Sequence, residues 1–300
     1  MRADLPGKGR GACALCGTVE RSRLFEKDGY PIARCLSCGL IQVDAELSRD
    51  ELERIYGEQY FTDDELFHDY VAERSIRLES GAARARTLAG IVPEGRLLDV
   101  GCAAGFFLEA ASRHYDVTGA EMSPFASEYA RSEFGLRVLT GDVTEVGLEG
   151  ERFDVVTMWN TIEHLADPLA AARAIAALAR PGGLLVLSTG DVTGPLARRG
   201  LREWNLMTPP YHLFFFSPRT IDLLLAKTGF RLRRIVYDGA VAMGGPLASR
   251  RARRAASMVG LGNVMTVYAS RASSPLGGPS RLRQLAARYR PLSRALPGRP

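Results

Sequence analysis

The stretch at residues 97–107 constrains the fold of this chain more than any other, and it reads Leu-Leu-Asp-Val-Gly-Cys-Ala-Ala-Gly-Phe-Phe. An apolar run, a turn of small residues and a second apolar run predict a buried strand, a tight turn and the start of a helix. In a doubly wound α/β sheet such a corner binds ligands, because the carboxyl ends of the strands open onto a crevice. Gly101 and Gly105 allow the backbone to approach a bound molecule closely.

The same stretch lacks two common phosphate-binding motifs. A dinucleotide fingerprint needs glycine at its first, third and sixth positions, where this chain has Gly101, Ala103 and Phe106. A phosphate-cradling loop needs Gly-Lys followed by Ser or Thr, which the stretch does not contain. The corner therefore favours a nucleoside without phosphate groups.

Further apolar runs predict the rest of a doubly wound sheet. The second strand ends near Glu121 and the third near Asp142, which places two carboxylates at the tips of neighbouring strands. The other predicted strands are residues 153–160, 184–188 and 263–268, with a turn at 181–183 and with the last strand antiparallel at the edge of the sheet.

Taken in order, these motifs resemble those of the class I S-adenosylmethionine-dependent methyltransferases over residues 95–270. The resemblance implies an α/β fold with a doubly wound, Rossmann-like sheet of seven strands, and S-adenosylmethionine as cofactor. It also implies that the glycine loop approaches the methionine part, that Glu121 holds the ribose and that Asp142 reads the adenine. The predicted cofactor-binding residues are Asp99, Gly101, Cys102, Ala103, Gly105, Glu121, Met122, Asp142, Val143 and Asn160. The alternative is a domain of this fold that binds no cofactor.

Two pairs of cysteines ahead of this region predict a metal site. Each pair has C-x-x-C spacing and is followed by a glycine that allows a tight turn, and the four residues are Cys13, Cys16, Cys35 and Cys38. Four thiolates at this separation favour a structural Zn²⁺, with iron in a rubredoxin-like site as the main alternative. Disulfides are disfavoured because no signal peptide precedes the cysteines, so a reducing cytoplasmic location is expected. Cys102 is expected to be a small buried residue rather than a nucleophile.

Composition and charge divide the 300-residue chain into segments. No apolar run reaches the roughly 18 residues that a membrane helix requires. The net charge is +5, but no Asp or Glu follows Asp238, whereas eleven of the 39 Lys and Arg do, so residues 1–238 are net acidic. The predicted segments are a flexible tail at 1–10, a zinc ribbon at 11–45, a helical linker or cap at 46–92, the S-adenosylmethionine-binding domain at 93–271 and a basic, disordered tail at 272–300.

His212 and His164 are the candidate catalytic residues. His164 follows the fourth predicted strand, and His212 lies in a long connection of the kind that often forms a lid or a binding loop. Each is a candidate base; the alternatives are a loop-orienting role for His164 and a buried, backbone-bonded imidazole for His212. Trp204 and Tyr211 are candidates for the acceptor wall, and Tyr56 and Tyr60 either close over the cofactor or simply pack between helices.

These features favour methyl transfer to an oxygen or carbon of a small-molecule or sugar acceptor. One alternative is RNA methylation, with the zinc ribbon presenting substrate and the arginine-rich tail contacting phosphates. The other alternative is a non-catalytic scaffold in which the ribbon binds a partner. The arginine cluster at 250–254 either forms a solvated helix face or contacts anionic lipid.

Overall fold

The computed structural model describes residues 9–62, 71–237 and 263–273, which form two β-sheets and the helices around them. Residues 1–8 of the predicted tail at 1–10 and residues 274–300 of the predicted tail at 272–300 lie outside the described residues, as do the arginine cluster at 250–254 and residues 63–70 of the predicted helical linker. The strands are β1 (Arg21–Lys27), β2 (Tyr30–Cys35), β3 (Ile41–Val43), β4 (Arg96–Val100), β5 (Asp116–Glu121), β6 (Val138–Thr140), β7 (Phe153–Trp159), β8 (Ala179–Gly190), β9 (Phe214–Phe215), β10 (Phe230–Tyr237) and β11 (Val264–Arg271). The helices are α1 (Arg49–Ile55), α2 (Glu58–Thr62), α3 (Arg74–Ala89), α4 (Phe106–Ala111), α5 (Pro124–Phe134), α6 (Pro168–Leu178), α7 (Pro195–Arg199) and α8 (Pro218–Lys227).

The larger sheet contains seven strands in the order β10-β11-β8-β7-β4-β5-β6. Strands β6, β5, β4, β7 and β8 are parallel neighbours, and β11 is antiparallel to both β8 and β10. The chain moves outward from β4 to β6 and then resumes on the other side of β4 with β7. This reversal creates a crevice at the carboxyl ends of β4 and β7, which is where such sheets bind ligands.

Helices cover both faces of this sheet, as the alternation of buried residues in β4 demonstrates. Leu97 packs in a core with residues of α3, α4 and α5, whereas Leu98 packs in a second core with residues of α6 and α8. Both leucines are fully buried because successive side chains of a strand point to opposite faces. The predicted doubly wound, seven-stranded α/β fold is therefore confirmed.

The smaller sheet joins the N-terminal cysteine segment to a distant part of the chain. Its order is β1-β2-β3-β9, and the two-residue strand β9 pairs antiparallel with β3. The Val43 N–H adds a bond of 2.8 Å to the Leu213 carbonyl. Because β9 lies in the connection between β8 and α8, the ribbon and the connection that carries His212 share one hydrogen-bonded sheet.

Local signals in the N-terminal half are read correctly from sequence. Ser48 with Glu51 three positions later is the sequence pattern of a capping box, and in the structure Ser48 caps α1 while the two side chains bond reciprocally to backbone N–H groups. Among the described residues, no helix has the length and apolarity needed to cross a membrane.

Two details of the sheet differ from the sequence prediction. The last strand was expected at the edge, but β11 lies between β8 and β10, and β10 forms the edge. Alternation of apolar residues cannot distinguish an edge strand from its neighbour when both have one half-buried face. Strand β8 also begins at Ala179, and its pairing with β7 skips from Ala179 to Leu184, so the predicted turn at 181–183 is an exposed bulge within the strand.

Candidate functional site

A cavity of about 460 Å³ opens at the carboxyl ends of β4, β5 and β7, at the point where the strand order reverses. This volume lies in the usual range for small-molecule sites, about 300–1,000 Å³. Helix α3 and the residues around α2 cover it on one side, and the connection after β8 bounds it on the other. The end beside β4, β5 and β6 contains the glycine loop and three carboxylates, and the end beyond β7 contains two imidazoles and a fourth carboxylate.

The glycine loop approaches the cavity because its backbone adopts left-handed angles. Gly101 has φ +71°, and a Cβ there would lie 2.6 Å from the Thr161 hydroxyl oxygen, so a side chain does not fit. Ala103 also has a positive φ, +48°, and lines the cavity. Gly105, with φ +81°, begins α4 and lies against Ala130 instead, so it positions the helix and does not line the cavity.

Glu121 is buried at the tip of β5, where backbone groups hold its carboxylate. Its Oε2 accepts a bond of 2.9 Å from the Ala103 N–H, and its Oε1 accepts one of 2.9 Å from the Ser123 N–H. Burial raises the pKa of this carboxyl, while these backbone bonds oppose the increase. Since each carboxylate oxygen can accept two bonds, Glu121 can still accept hydroxyl groups from the cavity.

Asp142 also lines the cavity, just beyond the end of β6. Its Oδ1 accepts bonds from the N–H and the hydroxyl of Thr144, at 2.8 and 2.6 Å, which fixes the carboxylate in a tight turn. The other predicted cofactor residues that line the cavity are Asp99, Cys102, Met122, Val143 and Asn160.

Two of these lining residues are buried ionisable groups under the glycine loop. Asp99 accepts a bond of 2.6 Å from the Thr157 hydroxyl, and burial raises its pKa to about 7. Burial also raises the pKa of the Cys102 thiol well above its ordinary value, which keeps it protonated. A protonated thiol is a poor nucleophile, so its environment suits the packing role expected for Cys102.

His164 and His212 come together at the other end of the cavity, with ring centroids 4.7 Å apart. The His164 Nδ1 lies 2.8 Å from the Tyr211 carbonyl oxygen, and the His212 Nδ1 lies 2.7 Å from that of Leu206. A carbonyl oxygen only accepts, so each Nδ1 carries the proton and each neutral ring keeps a lone pair on Nε2. Burial lowers the pKa of both rings, that of His164 to about 3, which keeps them neutral at pH 7.

Glu163 lies beside these rings and was not predicted as a site residue. It is only 3% exposed, and burial raises its pKa to about 7. The Thr189 side chain bonds its carboxylate, but Oε2 has no hydrogen-bond partner in the part of the chain that the structure describes. The sequence did contain a signal for a site residue here. Glu163 directly precedes the candidate His164 and follows a predicted parallel strand, whose carboxyl end is where such sheets bind ligands.

The aromatic residues predicted around the site have different positions. Tyr56 and Tyr60 both line the cavity, and the Tyr56 hydroxyl donates a bond of 2.6 Å to the Tyr211 carbonyl. Trp204 and Tyr211 are not among the lining residues. Trp204 is buried, and its indole N–H donates a hydrogen bond to the Asn263 side chain. The backbone carbonyl of Tyr211 accepts the hydrogen bonds from the Tyr56 hydroxyl and the His164 ring.

Sequence reasoning missed several further lining residues. Helix α3 contributes Arg84, whose guanidinium lies over the Trp159 ring at 4.4 Å from its centroid. The connection after β8 contributes Asn205 and Thr208. None of these stands in a recognisable motif, because the structure brings them from two segments that are far apart in the sequence.

The four N-terminal cysteines form a cluster whose ligand atoms all lie within 4.8 Å of one another. The Sγ atoms of Cys13 and Cys38 are 3.5 Å apart, as are those of Cys16 and Cys35. A tetrahedral ion with Zn–S bonds of about 2.3 Å separates its sulfur ligands by about 3.8 Å, so the cluster fits zinc. Gly17 and Gly39 adopt the expected positive φ in the two turns.

Comparison with known proteins places this fold among methyltransferases. Residues 70–235 match a family model described as Methyltransferase domain. The ubiquinone biosynthesis O-methyltransferase of Cereibacter sphaeroides is 39% identical over 129 residues, which cover 40% of this chain and 50% of that protein. The protein of the same name from Alkalilimnicola ehrlichii is 40% identical over 163 residues, which cover 47% of this chain and 65% of that protein. The matched region thus spans only about half to two thirds of the length of these relatives.

A solved structure supports the fold. The S-adenosylmethionine-dependent methyltransferase from Thermotoga maritima has a TM-score of 0.53 and 21% identity to this chain. The match covers 73% of this chain and 99% of that one.

Proposed function

Because residues 70–235 match its model, the chain belongs to the methyltransferase-domain family, and we propose that it transfers the methyl group of S-adenosylmethionine to an oxygen of a small-molecule or sugar acceptor. One observation carries this proposal. Glu121 and Asp142 follow β5 and β6 on one side of β4, His164 follows β7 on the other side with His212 beside it, and all four residues line one cavity with the glycine loop after β4. A cofactor and an acceptor can therefore meet between them.

The cofactor end suits an adenosyl group with a charged sulfur. Glu121 accepts the ribose hydroxyls, Asp142 accepts from the adenine amino group, and the backbone at Gly101 and Ala103 approaches the methionine part. The bound cofactor supplies a methyl group on a sulfonium, which is already activated for transfer. The remaining task of the chain is to align the acceptor and exclude water.

The acceptor end provides groups for an oxygen rather than for an apolar surface alone. The neutral imidazoles of His164 and His212 each present a lone pair, and Asn205 and Thr208 add polar groups to the wall. A role for either histidine as the base that removes the acceptor proton remains a prediction. An oxygen acceptor agrees with the name O-methyltransferase of the curated relatives, and carbon methylation is the alternative.

The four-cysteine cluster is proposed to bind a structural Zn²⁺. All four thiols are free in the structure and their spacing fits the ion. Reduced thiols agree with a cytoplasmic location, which is part of the proposal. Since β3 pairs with β9, the zinc ribbon supports the connection that carries His212.

Binding of S-adenosylhomocysteine, measured by calorimetry on the zinc-loaded protein, tests the cofactor site. We expect uptake of one molecule per chain and a loss of about tenfold or more in affinity for Glu121→Ala, since the ribose hydroxyls lose a buried acceptor. Glu149→Ala, at an exposed position outside the cavity, is the matched control and should bind normally. No uptake by the folded wild type would overturn the proposal and favour a non-catalytic scaffold.

An acceptor screen with labelled S-adenosylmethionine tests the substrate class. Phenols, catechols, sugars and RNA are offered separately, and labelled product is expected with a hydroxylated small molecule or sugar. Labelling of RNA alone would favour RNA methylation instead, and labelling at carbon would contradict the oxygen acceptor.

A further inference from the structure

A second pocket, of about 260 Å³, lies at the opposite edge of the seven-stranded sheet from the cavity. Gly190 of β8 and Val264 of β11 line the cavity. Gly182 and Ser270, near the other ends of the same two strands, line the second pocket. Leu184, the partner of Ser270, lies about 20 Å along β8 from Gly190, at about 3.3 Å per residue. A ligand in this pocket is therefore neither the methyl donor nor the acceptor.

The side chains of Arg231, Arg233 and Arg271 line the second pocket and have no carboxylate partner among the described residues. Arg233 donates from Nε to the Ser270 hydroxyl oxygen at 2.8 Å, and Arg271 donates from Nη1 to the Gly229 carbonyl oxygen at 3.0 Å. The exposed Arg231 makes no hydrogen bond or ion pair within the part of the chain that the structure describes. Because the partners of the other two are neutral, all three positive charges are uncompensated there.

Two carboxylates at the same edge of the sheet are engaged by other arginines. Asp154, at the start of β7, pairs with Arg180. Glu151, just before β7, accepts from Arg137 at 2.7 Å. No Asp or Glu follows Asp238 in the sequence, so the C-terminal part of the chain adds arginines but no acidic side chain. Like charges held side by side repel one another, and a bound anion removes this repulsion.

The backbone at Gly229 accommodates Arg271 in the second pocket. Gly229 has φ +80°, and a Cβ there would overlap the Arg271 Nη1, so a side chain at this position displaces the guanidinium. The same guanidinium lies over the Phe230 ring, at 5.8 Å from its centroid. One of the three charges is thus held in place before a ligand arrives, which lowers the entropic cost of binding.

We propose that Arg231, Arg233 and Arg271 bind the terminal phosphate of a small phosphomonoester. A guanidinium presents a planar fork of N–H donors that matches phosphate oxygens. A terminal phosphate has a free oxygen for each of the three guanidiniums, and its charge is about −1.5 to −2 at pH 7. A phosphodiester, as in RNA, has one free oxygen fewer and only about one negative charge. The three arginines therefore favour a monoester, and this site does not rest on the proposed methyltransferase function.

Calorimetry of the full-length, zinc-loaded protein with methyl phosphate, in a buffer without other phosphate, tests the site. We expect one bound molecule per chain and an affinity at least about tenfold higher than that for dimethyl phosphate, which is similar in size but carries less charge. Arg231→Gln and Arg233→Gln should each weaken methyl phosphate binding about tenfold or more, since each removes a charge-assisted donor. Arg113→Gln removes the same charge at an exposed position outside the pocket and should bind as the wild type does.

Three results would overturn the proposal. Equal affinity for methyl phosphate and dimethyl phosphate, or no binding of either, would contradict a site for a terminal phosphate. A loss in Arg113→Gln as large as that in Arg231→Gln would mean a general attraction of a basic chain for anions. An RNA oligomer without terminal phosphates and phosphatidylglycerol vesicles are offered to the same variants. Tighter binding of either, lost in both Arg231→Gln and Arg233→Gln, would replace the monoester by that polyanion.

Gly229→Ala tests the site without changing a charge. Because alanine there displaces Arg271, we expect the affinity for methyl phosphate to fall about fivefold or more. Gly135→Ala, at a positive φ with nothing within 4 Å of the new Cβ, is the matched control for backbone strain and should bind methyl phosphate normally. A cooperative thermal transition demonstrates that each variant is folded, and uptake of S-adenosylhomocysteine should be unchanged because the cavity lies at the other edge. Equal affinity of the two alanine variants for methyl phosphate would contradict the role of Arg271.

Discussion

At the scale of a single residue, substitutions at Gly101 and Gly135 distinguish backbone strain from a clash of the new side chain with a neighbour. Both have positive φ, +71° and +63°, but a Cβ on Gly101 would meet Thr161, whereas a Cβ on Gly135 would meet nothing within 4 Å. Alanine at either position costs about 1 kcal/mol or more of stability from the backbone alone. We expect Gly101→Ala also to lose about tenfold or more in S-adenosylhomocysteine affinity by calorimetry, because the loop must move.

Gly135→Ala is the control for this prediction, since Gly135 ends α5 outside the cavity. Denaturant unfolding measures the shared backbone cost in both variants. Equal cofactor affinity in the two variants would contradict a close approach of the loop to the ligand.

Asp99 predicts a pH dependence of stability. Burial raises its pKa in the folded state to about 7, from the ordinary value of 3.8. The folded state therefore holds this proton more tightly, so the stability that the group contributes is lost as the pH rises from its ordinary pKa through about 7. Asp99→Asn keeps an oxygen for Thr157 and has no charge to bury. We expect its stability relative to wild type to increase between about pH 5.5 and 7, at no more than about 1.4 kcal/mol per pH unit, and to level off above that range.

Urea unfolding of zinc-loaded protein across this pH range measures the difference. Glu149→Gln, at an exposed position, should show a constant difference from wild type. A constant difference for Asp99→Asn as well would mean that the carboxyl is not buried as the structure describes.

At the scale of elements, the pairing of β3 with β9 connects the four-cysteine ribbon to the end of the cavity that contains His212. Ile41 pairs with Phe215 and Gln42 pairs with Phe214, and this two-residue ladder begins two positions after His212 in the chain. A two-residue strand is too short to be stable alone, so its order depends on the sheet that it joins. Loss of the ion should therefore loosen the His212 connection before it affects the seven-stranded sheet.

Hydrogen exchange measures this dependence. We expect removal of zinc by a chelator to accelerate amide exchange in residues 211–217, while β5 stays protected. Cys16→Ser should have the same effect as the chelator, and Cys102→Ala, which leaves the four ribbon thiols intact, should not. Unchanged protection of residues 211–217 after zinc loss would contradict the coupling.

At the scale of the whole molecule, acidic residues are confined to residues 1–238, which contain most of the cavity, whereas the C-terminal end is purely basic. The cavity-lining residues lie between Tyr56 and Val264, and β11 ends at Arg271. Six of the eleven arginines after Asp238 follow Ser273. Affinity for a nucleoside cofactor and affinity for polyanions should therefore be separable.

A chain that ends at Ser273 tests that separation. We expect S-adenosylhomocysteine to bind with an affinity within about twofold of the full chain, a difference of about 0.4 kcal/mol or less. Salt-sensitive retention on RNA or anionic vesicles, if the full chain has it, should weaken as arginines are removed. Loss of cofactor binding in a folded, shortened chain would contradict the location of the site.

The sequence by itself determined the parts of this protein that depend on short-range chemistry. The strand and turn at 97–107 follow from apolar runs and glycine, the α1 cap from Ser48 and Glu51, and the cysteine cluster from its spacing. Glu121 and Asp142 could be placed in one crevice because parallel strands end at the same edge of a sheet.

Only the tertiary structure decided which distant residues share the acceptor end of the cavity. Glu163 and His212 are joined there by backbone bonds from the Leu213 and Phe214 N–H groups to the Glu163 carbonyl, and β9 is held there by β3. The tertiary structure likewise places β10 at the edge of the sheet, where the last strand, β11, was expected. Contacts of this kind are not encoded by local periodicity, because the packing of a loop against a sheet depends on every element that surrounds it.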